Sequence, residues 1–223
     1  MKKYNYLKCN LKFRPKPEYS YFSILGNYLS GVIIMVSIFV SNYTLAQPFP
    51  QQEKKVIDIT IVTEAGTIRA ELYPDRAPLT TENFLRYVDR DHFDGGSFFR
   101  TVRDDNQPES QIMIDVIQAG PHPWFQFFDF DPINLERTTL TGLKHLEGTI
   151  SMARDSPDSA TSSFFICVED EPELDFGGKR NPDGQGFAAF GKVVEGMEVV
   201  RKIHQSEAKG QAIKMPVRIL DIF

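Results

Sequence analysis

Residues 97–120 read SFFRTVRDDNQPESQIMIDVIQAG, two strand-like runs joined by a polar turn. The first run, Ser97 to Val102, is aromatic and β-branched with one cation, Arg100, among the large rings. Asp104 to Ser110 carries turn-forming and charged residues around Pro108. Ile112 to Gln118 is again strand-like, and Gly120-Pro121 closes it. An Arg leaving an apolar strand can be held rigidly at a sheet surface, and Gln118 offers an amide donor and acceptor one strand away. Such a pair can hold a polarisable amide beside an apolar patch. The simpler reading is a surface Arg and a sheet-edge Gln.

Outward from this hairpin the chain keeps the same rhythm. Val56 to Val62 alternates, Glu64-Ala65-Gly66 turns, and Thr67 to Tyr73 returns, which predicts a β-hairpin. Residues 81–88 predict a helix with Thr80 as N-cap, acid in the first turn, and Phe84, Leu85 and Val88 on one face. Residues 197–204 predict a second amphipathic helix through Val199, Val200 and Ile203. Met215 to Phe223 alternates as a closing strand. Many short strands, two helices and no βαβ rhythm predict a mainly β fold, a closed antiparallel barrel with two flanking α-helices. The aromatic, proline-broken segment 121–130 reads as a packed loop.

A second stretch supplies the chemistry. Gly148 to Arg154 (GTISMAR) leads through a polar loop to Ser163 to Val168 (SFFICV). With Phe98-Phe99-Arg100 and residues 116–120 upstream, and Phe190 to Val193 downstream, the order and content of these motifs resemble the cyclophilin family of peptidyl-prolyl cis-trans isomerases. The resemblance runs from about Val56 to Phe223. It implies that Arg100 is catalytic and that Gln118 supports it and the substrate. It implies further that Phe165 floors a proline pocket lined by Val116, Ala153, Leu174 and Phe187, with Arg154 offering backbone groups. Proline-containing polypeptides are then the partners, and neither metal nor other cofactor is needed. The chain departs from the family pattern at Asp115 (a pocket Phe), Glu173 (an aromatic), Phe187 (a His) and Ser163 (a Gln). These changes bear on pocket apolarity and on the family's macrocyclic inhibitor. A non-catalytic proline-peptide binding or chaperone module on the same fold is the alternative, and a purely structural barrel a more distant one.

The N-terminus sets the location. Lys2, Lys3, Lys8, Lys12, Arg14 and Lys16 precede an uncharged run from Tyr21 to Ala46, and Thr44-Leu45-Ala46 ends it with a small residue. That order predicts a secretory signal over residues 1–46, cleaved after Ala46. An uncleaved anchor through residues 21–46 is the competing reading. Either one exports the domain, to the periplasm or another extracytoplasmic compartment. Residues 47–55 read as a linker and 56–223 as one domain, expected to act as a monomer.

Residues 1–46 hold 6 of the 25 basic residues and 1 of the 30 acidic ones, leaving 19 against 29 beyond them. That balance, near −10, argues against nucleic acid as a partner, and the acids read as a solvated surface. His92, His122, His145 and His204 lack metal-site spacing. Residues 177–186 are Gly-rich without the order GxxxxGK[ST]. Cys9 lies in the leader, and Cys167, in an apolar strand, reads as a buried core residue.

Overall fold

A computed structural model of the protein describes residues 55–223. The expected leader with its cleavage point, the competing anchor reading and nearly all of the expected linker lie outside the described residues. Eight strands close an antiparallel barrel: β1 (Ile57–Thr63), β2 (Gly66–Leu72), β3 (Ser97–Val102), β4 (Val116–Gly120), β5 (Thr149–Met152), β6 (Phe164–Cys167), β7 (Ala188–Glu195) and β9 (Ala212–Ile222). The order around the barrel is β1-β2-β7-β5-β6-β4-β3-β9, and pairing of β9 with β1 closes it. The two-residue β8 (Ala208–Lys209) hangs on β9 as a short hairpin. Closure removes the unpaired edges that an open sheet would expose.

The two expected helices are α1 (Pro78–Val88) and α3 (Met197–His204), and a single turn, α2 (Thr138–Thr141), is added. Side chains inside the barrel form one cluster in which Phe98, Ile117, Phe164 and Ile166 meet Phe84 of α1 and Val200 and Ile203 of α3. Phe84 stands 5.3 Å from each of the rings of Phe93, Phe164 and Phe190, and packs edge-on against Phe164. Rings of this size dominate the burial that holds the barrel together.

α1 differs from expectation at its start. Ala77 is the N-cap, Pro78 opens the helix, and no acid falls in the first turn. Thr80 is a buried residue inside the helix rather than its cap. The orphan donors are met from outside the helix: the Glu136 carboxylate accepts from Leu79 N (3.2 Å), Thr80 N (2.8 Å) and the Thr80 hydroxyl (2.7 Å). A carboxylate there also opposes the positive end of the helix dipole.

The second run of the central hairpin is shorter than its sequence suggests, since β4 begins at Val116 rather than Ile112. Ile112, Ile114 and the Asp115 amide bond to side chains instead of a ladder. Buried Gln107 donates to Ile114 O (2.8 Å) and accepts from Ile114 N (3.4 Å), while Glu171 accepts from Asp115 N (2.6 Å). At the other end Gly96 is required by close approach, because a Cβ there would lie 2.5 Å from the Gly120 carbonyl oxygen.

Candidate active site

Strand alternation places the site on the outer face of β3, β4 and β6. A bulge at Phe99 resets the phase: Phe98 pairs with Ala119, and the next pair is Arg100 with Gln118. Phe98 therefore points into the core, Phe99 is exposed, and Arg100 stands on the outer face. Gln118 in turn pairs with Phe165, so Arg100, Gln118 and Phe165 form one row across three strands. The adjacent row is Val102, Val116 and Cys167. These apolar residues, with Ile114 and Leu174, make a second, smaller cluster against which Ala153 and Phe187 pack.

Ile114, Val116, Ala153, Phe165, Leu174 and Phe187 form the apolar wall of a cavity of about 410 Å³. All eight residues singled out from sequence line it: Arg100, Val116, Gln118, Ala153, Arg154, Phe165, Leu174 and Phe187. Phe187 meets Phe165 edge-on at 5.2 Å, and on the core side the buried His145 ring stacks on Phe165 at 6.0 Å. His145 is itself held by Asp175 and the Ser151 hydroxyl, both at 2.9 Å. The Arg154 side chain does more than frame the pocket with backbone. Its guanidinium lies 5.1 Å from the centre of the Phe187 ring, forks onto Asp183 (2.8 and 3.0 Å), and donates to Gly186 O (2.8 and 2.6 Å). That cation is neutralised.

Among the described residues Arg100 is held without a carboxylate. Its Nη1 donates to Gln118 Oε1 at 2.8 Å, and its Nε and Nη2 donate to Gln211 Oε1 at 2.9 and 2.6 Å. Burial, with the charge of Arg180, pulls its pKa below the usual guanidinium value, yet it stays cationic at neutral pH. Two carboxamides thus fix the guanidinium and leave its charge uncompensated. Gln211 escaped the sequence reading. It sits in the two-residue turn between β8 and β9, where Gly210 takes φ +60°, and Ala212 beside it pairs with Arg100.

The departures at Asp115 and Glu173 resolve differently from a loss of apolarity. Asp115 pairs with His204 Nε2 at 3.2 Å and is absent from the cavity wall, which Ile114 occupies instead, 6% exposed. Burial raises the Asp115 carboxyl above its ordinary value, and the His204 charge opposes that shift. Glu173 accepts from Lys179 N at 2.7 Å and so braces the loop that follows. Arg180 on that loop reaches the cavity, its Nη1 donating to Ser110 Oγ and Ile112 O, both at 2.6 Å. Nor are all the acids a solvated surface. Glu171 is 6% exposed, and burial pushes its carboxyl up to about 7. Cys167 is fully buried, as expected, and burial pushes its thiol up.

A family model described as cyclophilin type peptidyl-prolyl cis-trans isomerase/CLD matches residues 56–222. Peptidyl-prolyl cis-trans isomerase A of Dickeya dadantii (strain 3937) is 38% identical over 152 residues, 68% of this chain and 73% of that protein. Peptidyl-prolyl cis-trans isomerase B of Escherichia coli (strain K12) is 36% identical over 147 residues, 65% of this chain and 82% of that one. A crystal structure of a cyclophilin type peptidyl-prolyl cis-trans isomerase from Cryptosporidium parvum superposes with a TM-score of 0.60 at 21% identity, covering 75% of this chain and 96% of that one. A second structure, determined in the presence of the dipeptide Ala-Pro, gives a TM-score of 0.57 at 20% identity, covering 74% of this chain and 97% of that one. At such identity the likeness concerns the fold, whereas the family match spans nearly every described residue. The chain belongs to the cyclophilin-type peptidyl-prolyl cis-trans isomerase family.

Proposed function

We propose that the protein catalyses cis–trans rotation of X–Pro peptide bonds in exported polypeptides, with Arg100 as its catalytic residue. The observation that carries this reading is a guanidinium held by two neutral carboxamides beside an apolar pocket. Rotation about the peptide bond is opposed by about 18–20 kcal/mol of partial double-bond character. A cation near the prolyl nitrogen favours the pyramidal nitrogen of the twisted state, where the lone pair has left the amide resonance. Because Arg100 meets no carboxylate among the described residues, its field is not spent on a counter-ion, and it needs little reorganisation as the bond twists. Phe165, Val116, Leu174 and Ile114 supply an apolar seat for the proline ring. The Ala-Pro dipeptide of the Cryptosporidium crystal supports a ligand of that kind.

The test is a protease-coupled assay on proline peptides. Arg100→Ala should lower kcat/KM by at least about tenfold, equivalent to roughly 1.4 kcal/mol. Arg100→Lys, which keeps charge but loses the fork, should recover part of it. A folded Arg100→Ala protein as fast as wild type would overturn the assignment. Peptide binding without turnover in wild type would make the protein a binding module. Export rests on the basic head and uncharged run of residues 1–46, and cell fractionation that finds the full chain soluble in the cytoplasm would refute it.

A further inference from the structure

Three guanidinium groups line the cavity, and Asp183 neutralises only that of Arg154. Arg100 has only amide partners, and Arg180 has only the Ser110 hydroxyl and the Ile112 carbonyl. Among the described residues neither lies within ion-pair distance of a carboxylate, whereas Arg103 and Arg154 both do. The acids nearest in kind do not fill the gap. Glu171 influences Arg180 from beyond 4 Å and is itself pushed up to about 7 by burial, while Asp155 and Glu109 are exposed at the margins. Burial and mutual repulsion hold the Arg100 guanidinium below its usual pKa, a cost that an incoming anion would relieve.

Arg180 also has the right part left over. Both of its anchors take Nη1, so the Nε–Nη2 edge has no hydrogen-bond partner among the described residues. That edge is the side-on fork that receives the two oxygens of a carboxylate. Arg180 further lines an adjoining cavity of about 480 Å³ formed with residues 106–110 and Gln211, so the groove continues past the proline seat along this side chain. On a chain whose residues 47–223 carry a net charge near −10, a cationic spot here is local to the groove.

We propose that Arg180 makes this isomerase selective for X–Pro segments that carry an acidic side chain close to the proline, the carboxylate docking on its Nε–Nη2 edge. The proposal rests on the isomerase reading above. It concerns which prolines are chosen, not how the bond rotates.

The experiment uses the full chain and pairs of short proline peptides differing only by Glu or Gln. The varied residue is placed in turn at each of the two positions on either side of the proline. The ratio of kcat/KM for Glu over Gln is the readout, and Kd for the same pairs is measured by calorimetry. At one or more positions Glu should be favoured by about five- to tenfold, as for a partly screened charge-assisted contact. Raising the salt from about 0.01 M to about 1 M, which shortens the screening length from about 30 Å to about 3 Å, should erase most of the preference. Arg180→Gln should bring the ratio to about one, Arg180→Lys should restore part of it, and Ser110→Ala, which removes a brace but no charge, should leave it in place. Equal rates for Glu and Gln at all four positions would overturn the proposal, as would a preference that survives in Arg180→Gln. If no peptide is turned over, the isomerase reading fails, and the Kd ratio still decides the acidic preference.

Discussion

Gln211→Ala isolates what the amide clamp contributes to Arg100. The substitution deletes one oxygen that accepts from Nε at 2.9 Å and Nη2 at 2.6 Å, while Gln118 keeps Nη1 at 2.8 Å. Hydrogen bonds to a charged donor are worth about 1.5–3 kcal/mol. Water replaces much of that here, because Arg100 is only half-buried and the site opens to solvent. A net loss near 1 kcal/mol of orientation is the reasonable magnitude, about fivefold in rate. Since the clamp acts on the twisted state, the loss should fall on kcat and leave KM nearly unchanged. Gln211→Glu keeps the acceptor but adds a counter-charge, so it should not rescue, although it grips the guanidinium more tightly. The decisive assay is a double-mutant cycle in the protease-coupled measurement. If Gln211 works through Arg100, removing it from Arg100→Ala costs nothing further. Losses that add, or a rise in KM at constant kcat, would place Gln211 on the substrate and refute the clamp.

Glu136→Ala should lower stability by about 1–2 kcal/mol, because it strips the start of α1 of three hydrogen bonds and a favourable charge. A thermal melt should fall by several degrees, and an unchanged melt would show that water caps the helix equally well. Glu171 predicts a pH dependence. Its folded-state pKa is raised to about 7 from an ordinary value near 4.3, so its contribution is fully favourable below about pH 4 and is lost as pH rises through 7. Glu171→Gln keeps an acceptor for Asp115 N and should gain about 1–3 kcal/mol over wild type at pH 8 but little at pH 4 in urea unfolding. The same gap at both pH values would remove the buried-carboxylate account.

The barrel was legible because closing strands and helices announce themselves in period and punctuation. β1, β2 and α3 lie within a residue of where alternation and the apolar triplet of 199, 200 and 203 put them. What sequence missed came mostly from contacts far apart along the chain. Glu136 caps a helix 56 residues away, so local inspection turned to Thr80. Ile112 to Asp115 has strand chemistry, but Gln107 and Glu171 claim its backbone. The row Arg100–Gln118–Phe165 was within reach because the motifs share a face, and Asp115 was misjudged because one residue decides which face a side chain takes. Gln211 and Arg180 carried no signal: a polar residue in a two-residue turn and a cation in a Gly-rich loop look like solvent-facing residues until the fold brings them to the groove.

The bulge at Phe99 has a consequence for which mutations the protein tolerates. Were Phe99 paired in regular alternation, Phe98 and Arg100 would occupy the same face, since strand alternation repeats every second position. Deleting Phe99 would leave the two on opposite faces as direct neighbours, whereas losing a paired residue such as Thr101 would turn Val102 away from the pocket face. The loops at 104–115 and 175–186 border the groove without belonging to the β3 ladder. Indels in this family member should consequently be filtered by address, admitted at exposed loop tips beside the groove and purged among the paired residues of β3, so that length variation becomes a route to new clients while the reacting centre is handed down unaltered.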